Sequence, residues 1–130
     1  MIIDTNIYSA LDRAESTTLK MMANVPVAYV PIIVLGELQY GFMKGSREEE
    51  NINRLKRFLS QDTVEVLNIN TETTRYYGEL SLLCKQSGRA LSNNDIWIAA
   101  LAMENDLPLA TFDKDFAVFK DILKSGLILL

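Results

Sequence analysis

Short apolar runs alternate along the chain with longer stretches in which apolar positions recur every three or four residues. The first kind predicts strands buried on both faces, and the second predicts helices with one side on a core. Met1-Ile2-Ile3 is a short buried strand. Residues 7–24 carry helical spacing, with a break near Glu15-Ser16. Residues 25–30 form a strand with Pro26 near its start. Pro31 suits the first position of a helix that runs to Lys44 and stops at Gly45. Ser46, with Glu49 three residues on, has the form of a capping box and opens a helix to about Ser60. Residues 63–67 are a third strand, and residues 71–87 a helix stopped by Gly88. Asn93 or Asn94 caps a helix ending near Asn105. Residues 108–110 are a short strand, residues 113–120 are helical, and residues 127–130 are a final strand.

Short apolar strands separated by helices predict an α/β domain with a central, mainly parallel sheet flanked by helices. No internal repeat or Pro/Gly/Ser-rich linker interrupts the pattern, so one domain over residues 1–130 is expected. In sheets of this kind sites form beyond the carboxyl ends of the strands. The residues just past each apolar run are therefore the ones to inspect for chemistry.

Those residues are acidic. Asp4 follows the first run, in Asp4-Thr5-Asn6, and Asp113 follows the fourth, in Thr111-Phe112-Asp113. Glu37 lies in the helix after the second run, among Ile32, Ile33, Val34, Leu35 and Leu38. Asp95 opens the helix Ile96-Trp97-Ile98-Ala99-Ala100. A helix apolar on all sides is expected to be buried, and a buried carboxylate is costly unless paired or bound to a cation. Several carboxylates at one end of a sheet also repel one another, so together they suit a hard divalent ion. The plainer reading is capping: Asp4, Asp95 and Asp113 each stand where a helix begins, and Asp is favoured there. Glu37, in mid-helix, has no such account.

Composition narrows the chemistry. The chain has no histidine and a single cysteine, Cys84, which sits in an apolar helical pattern and reads as a small buried hydrophobe. A metal would then be oxygen-bound, Mg²⁺ or Mn²⁺ rather than Zn²⁺. The net charge of −4 excludes a protein that coats nucleic acid over its whole surface, but not one whose negative charge is gathered at a metal site. The apolar runs fall short of a membrane span, and Met1-Ile2-Ile3 is followed at once by Asp4 without a signal-peptide pattern. A soluble, cytoplasmic protein with no membrane partner is the expectation.

Four pieces of the sequence carry a resemblance: Ile3-Asp4-Thr5-Asn6, Gly36-Glu37-Leu38, Asn94-Asp95-Ile96-Trp97-Ile98-Ala99-Ala100, and Thr111-Phe112-Asp113 followed by Phe116. In this order and spacing they resemble the PIN-domain family, and within it the VapC-like toxin ribonucleases of bacterial toxin–antitoxin pairs. Leu91 departs from the pattern, since many members have a proline before the third motif. The resemblance implies about five parallel strands and a cleft in which Asp4, Glu37, Asp95 and Asp113 hold Mg²⁺ or Mn²⁺ for hydrolysis of RNA phosphodiesters. Thr5, Asn6 and Thr111 would orient those carboxylates or waters, with helix capping an equal account of them. A homodimer and a cognate antitoxin are implied too. Tyr8, Leu11, Tyr40, Phe42 and Met43 would form the antitoxin's groove, or alternatively belong to the core.

Other assignments stay open at this level. Substrate phosphates could meet Lys44, Arg47, Arg54, Lys56 and Arg57, or Arg75, Lys85 and Arg89, although an ordinary solvated helix face explains them as well. Trp97, Tyr76 and Tyr77 read as packing residues before base-stacking ones. Asp115 reads as a solvated acid beside Lys114. A phosphoacceptor receiver domain needs an aspartate where this chain has Asn68, and an aspartyl phosphatase needs one at Asn6. A PIN nuclease of RNA maturation or decay, or a catalytically silent binding module, are the nearer alternatives.

Overall fold

The computed structural model describes residues 1–130, and in it the five apolar runs extend and pair edge to edge. They are β1 (Ile2–Ile3), β2 (Ala28–Pro31), β3 (Val64–Leu67), β4 (Leu109–Thr111) and β5 (Leu127–Leu129). The sheet order is β3-β2-β1-β4-β5, and every pairing is parallel. β1 is central: Ile2 lies opposite both Tyr29 and Leu109, and Ile3 opposite Ala110. Both isoleucines are fully buried, which is why this strand shows no polar alternation.

Between the strands run α1 (Thr5–Asp12), α2 (Ser16–Met22), α3 (Ile32–Lys44), α4 (Glu48–Leu59), α5 (Thr73–Gln86) and α6 (Asn93–Asn105), with a short 3₁₀ helix at Lys114–Phe119. The architecture is thus the expected α/β arrangement around a parallel sheet. Residues 7–24 split into α1 and α2 because Ala14 takes a left-handed backbone (φ 54°) and Glu15 caps the second piece.

Several boundaries differ from the sequence reading, each for a local reason. Thr5, not Ile7, opens α1, because Asp4 accepts the Thr5 N–H at 2.7 Å. Pro31 ends β2 and serves as the extended residue before α3 instead of its first helical residue. The Ser46 capping box does not form. α4 begins at Glu48 after Arg47, and Glu48, Glu49 and Glu50 face the positive end of the helix instead. Ser92, not Asn93 or Asn94, caps α6, its Oγ accepting the Asp95 N–H at 3.2 Å.

The core lies on both faces of the sheet. α6 is buried nearly all round, through Ile96 and Ile98 to Ala102, and Cys84 of α5 is buried as well. Phe116 and Phe119 of the 3₁₀ helix meet edge to face at 6.2 Å and are wholly buried. Tyr77 and Trp97 stack at 4.1 Å between α5 and α6, as packing residues would. Tyr8 is buried with its ring against Phe58 at 5.2 Å, so of the two readings left open for it the core one holds.

α3 overturns one expectation. Its inner face buries Val34 and Leu38, but Tyr40 is 64% exposed and Met43 62%. The helix is apolar on all sides yet covered on one. Lys44 lays its ammonium 4.5 Å from the Tyr40 ring centre, a cation–π contact on this open face.

Truncating a wholly buried aromatic removes its burial and leaves a cavity. Phe116→Ala should therefore cost about 3–5 kcal/mol, read as a lower urea midpoint with an unchanged slope.

Candidate active site

The β1–α1 corner and the corner after β4 lie side by side because their strands are neighbours in the sheet. Asp4 is the first residue beyond β1 and only 5% exposed. Its Oδ1 accepts the Thr5 N–H, and its Oδ2 accepts the Thr111 hydroxyl at 2.6 Å. Asn6 adds a longer contact, its Nδ2 standing 3.4 Å from Asp4 Oδ2. With its proton committed to Asp4, the Thr111 oxygen accepts the Asp113 N–H at 3.0 Å. The Asn6 Oδ1 accepts the Phe112 N–H at 3.1 Å. Thr111 and Asn6 thus fasten the two corners together across more than a hundred residues of sequence.

Glu37 enters from α3, and Thr5 donates its hydroxyl to Glu37 Oε1 at 2.9 Å. Asp95 enters from the first turn of α6. Asp113 caps the 3₁₀ helix through its Oδ1, which accepts the Asp115 N–H at 2.9 Å. All four acids line one cleft of about 790 Å³, together with Thr5, Asn6 and Phe112. Capping and cleft lining prove compatible, since Asp4 and Asp113 do both with different oxygens or faces. Asp115 is exposed and does not line the cleft.

The carboxylates feel one another. Burial pushes Asp95 up to about 6; repulsion from Asp4, Asp113 and Glu37 adds to this, and a hydrogen bond with the Ser92 side chain opposes it. Burial also raises Asp4, aided by the charge of Asp113 and opposed by its bonds to Thr111, Thr5 and Asn6. No three of these carboxylates stand close enough together, as the side chains are placed, to ligate one ion. The donor chemistry nevertheless suits a hard divalent cation, for every donor is oxygen and the shared charge is unrelieved.

Three polar lining residues, Ser9, Arg13 and Glu15, escaped the sequence reading, as did the apolar Ala10. Thr5 and Ser9 on α1 and Arg13, which caps its C-terminus, stand four residues apart, so helical spacing from Thr5 would have found two of them. The third depends on the α1–α2 turn. Of the basic residues singled out earlier, none lines this cleft, and Arg54 is tied to Asp12 at 2.9 and 3.1 Å.

Comparison with known proteins places this α/β chain in one family. The PIN-domain pattern matches residues 1–122. Ribonuclease VapC2 of Rickettsia felis is 35% identical over 114 residues, covering 85% of this chain and 84% of the relative. The crystal structure of VapBC2 from Rickettsia felis, bound to a DNA fragment from its promoter, superposes with a TM-score of 0.80 at 32% identity, over 99% of this chain and 96% of that one. A VapBC-5 structure from Mycobacterium tuberculosis, from the VapBC family of toxin–antitoxin systems, gives 0.72 at 26% identity, over 99% and 97%. The chain belongs to the PIN-domain family, in its VapC-like branch.

Because the folded-state pKa of Asp95 lies above the ordinary 3.8, the folded protein holds more protons than the unfolded one between about pH 4 and 6. Its metal-free stability should fall as pH rises through that interval. Asp95→Asn should remove this cost. In EDTA at pH 7 we expect a gain of about 1 kcal/mol after discounting for solvent screening, or roughly 3 °C in Tm, vanishing near pH 4. An unchanged or lower Tm at pH 7 would mean that the helix-terminus attraction for Asp95 outweighs the repulsion.

Proposed function

We propose that this protein is a divalent-metal-dependent endoribonuclease acting as the toxin of a toxin–antitoxin pair. The observation that carries it is the gathering of Asp4, Glu37, Asp95 and Asp113, from four separate elements, into one cleft of a chain 35% identical to a ribonuclease. These four would hold Mg²⁺ or Mn²⁺. A bound ion of this kind lowers the pKa of a water and offsets charge on the leaving oxygen.

The chain supplies the rest. Asp4 is held by Thr5 and Thr111, so its carboxylate cannot turn away from the cleft. Thr5 restrains Glu37 in the same manner. Asn6 fixes the backbone that leads to Asp113. With no histidine in the chain, no side chain with an ordinary pKa near neutrality is available as a base, and the four carboxylates fit a hydrolysis that needs no protein nucleophile.

An RNA substrate accords with a cytoplasmic location, and no helix is long and apolar enough to cross a membrane. The open face of α3, with Tyr40 and Met43, offers apolar surface to an antitoxin or to a second copy in a homodimer. The solved relatives in which toxin and antitoxin are joined support a protein partner of this kind.

Purified protein should cut total cellular RNA into discrete fragments with Mg²⁺ or Mn²⁺ and leave it whole in EDTA. Asp4→Asn should lower the rate at least about a hundredfold, as expected when one member of a charge-stabilising site is lost. Full-rate cleavage by the variant, or none by the native protein with either metal, would overturn this reading.

A further inference from the structure

A trough floored by four carboxylates repels a polyphosphate. Divalent ions at the acids would relieve that repulsion at the scissile phosphate but leave the phosphates on either side to be held by other charges. In a chain of net charge −4, those charges have to come from cations at the rim of the cleft.

We propose that Arg13, together with Arg89 and Lys114 beside Asp113, forms the track that holds the flanking phosphates of a single-stranded RNA; this rests on the ribonuclease reading above. Arg13 lines the acidic cleft itself. It follows α1 directly, its backbone N–H bonded to the Ser9 and Leu11 carbonyls, so its position relative to Thr5 is set by the helix. The acid beside it is otherwise engaged. Glu15 accepts the Thr17 and Thr18 N–H groups at 3.0 and 2.7 Å, and the Thr18 hydroxyl as well. Those bonds hold its carboxyl down to about 2, so it stays a bound anion and forms no ion pair with Arg13.

Lys114 directly follows Asp113, and a second hollow of about 240 Å³ opens there, lined by Lys114, Arg89 and Asp115. Asp115 subtracts one charge, leaving that hollow net positive. The ion pairs of the protein are Arg54–Asp12 and Arg75–Glu79, so Arg13, Arg89 and Lys114 belong to none. Arginine and lysine grip phosphate oxygens without reading base sequence, which gives this track a positioning role only.

The test compares the native protein with the triple variant R13Q/R89Q/K114Q and with a control, K120Q/K124Q, whose exposed lysines line neither the cleft nor the second hollow. For cleavage of a short single-stranded RNA, the triple variant should raise KM at least tenfold with kcat within about twofold, and the control should change neither. Binding of a fluorescein-labelled 12-nucleotide RNA, measured in the D95N background with Mg²⁺ so that cleavage does not intervene, should weaken likewise. The slope of log Kd against log salt should flatten by about 2 for three lost contacts to a single strand. Arg13→Lys should restore most of the single-variant R13Q loss. Equal binding and an equal salt slope in the triple variant and its parent, or no RNA binding by the parent, would overturn the track. Native protein that binds through these residues yet cuts no RNA with either metal would overturn the ribonuclease reading and leave the track standing.

Discussion

The hydrogen bond from the Thr111 hydroxyl to Asp4 Oδ2 is the contact on which the site depends. It is short, 2.6 Å, and buried, and it joins residues 107 apart in sequence. A carboxylate 5% exposed is expensive to leave unpaired, so the bond both lowers the cost of burying Asp4 and fixes the direction in which its charge points. Because Thr111 is the last residue of β4 and Asp4 the first beyond β1, the bond can exist only when those strands are neighbours in register. Register in the middle of the sheet and geometry in the cleft are in this sense one constraint.

Around that contact the protein uses small polar side chains as fasteners. Thr5 ties α1 to Glu37 on α3, and Asn6 ties the start of α1 to the backbone beyond β4. Both lie within two residues of Asp4 in sequence, and each satisfies a polar group that would otherwise lack this partner. Asp113 caps the 3₁₀ helix whose Phe116 and Phe119 are wholly buried, so the same local segment supplies a cleft acid and part of the hydrophobic interior. The cost of the arrangement is electrostatic. Burial and mutual repulsion push protons onto Asp95 and Asp4, and the fold tolerates this because the surrounding core is large and the two corners are held by hydrogen bonds.

Where the sequence reading and the structure part, the cause is local competition. Ser46 has the spacing of a cap, yet the three glutamates that follow Arg47 meet the helix terminus instead. Asn93 and Asn94 are good caps in principle, but Ser92 has the extended backbone and the reach to the Asp95 N–H. α3 reads as buried on all sides because periodicity counts apolar residues and cannot say which faces meet a neighbour; Tyr40 and Met43 remain outside. For Tyr8, which the sequence left open between groove and core, the packing of Phe58 decides for the core.

The chain by itself determined the alternation of buried strands and helices, the parallel character of the sheet, and the four acids, because each depends on residue type and short-range spacing. Strand–helix alternation admits few other topologies, and acids that follow apolar runs are visible without knowing where the runs go. Only the tertiary structure decided that these acids face one cleft, that Thr111 rather than solvent satisfies Asp4, and that Arg13 reaches the rim while Arg54 is drawn into a pair with Asp12. Those outcomes turn on which strands become neighbours and how a turn such as Arg13-Ala14-Glu15 is oriented. Long-range pairing energies set both, and no short window of sequence contains them.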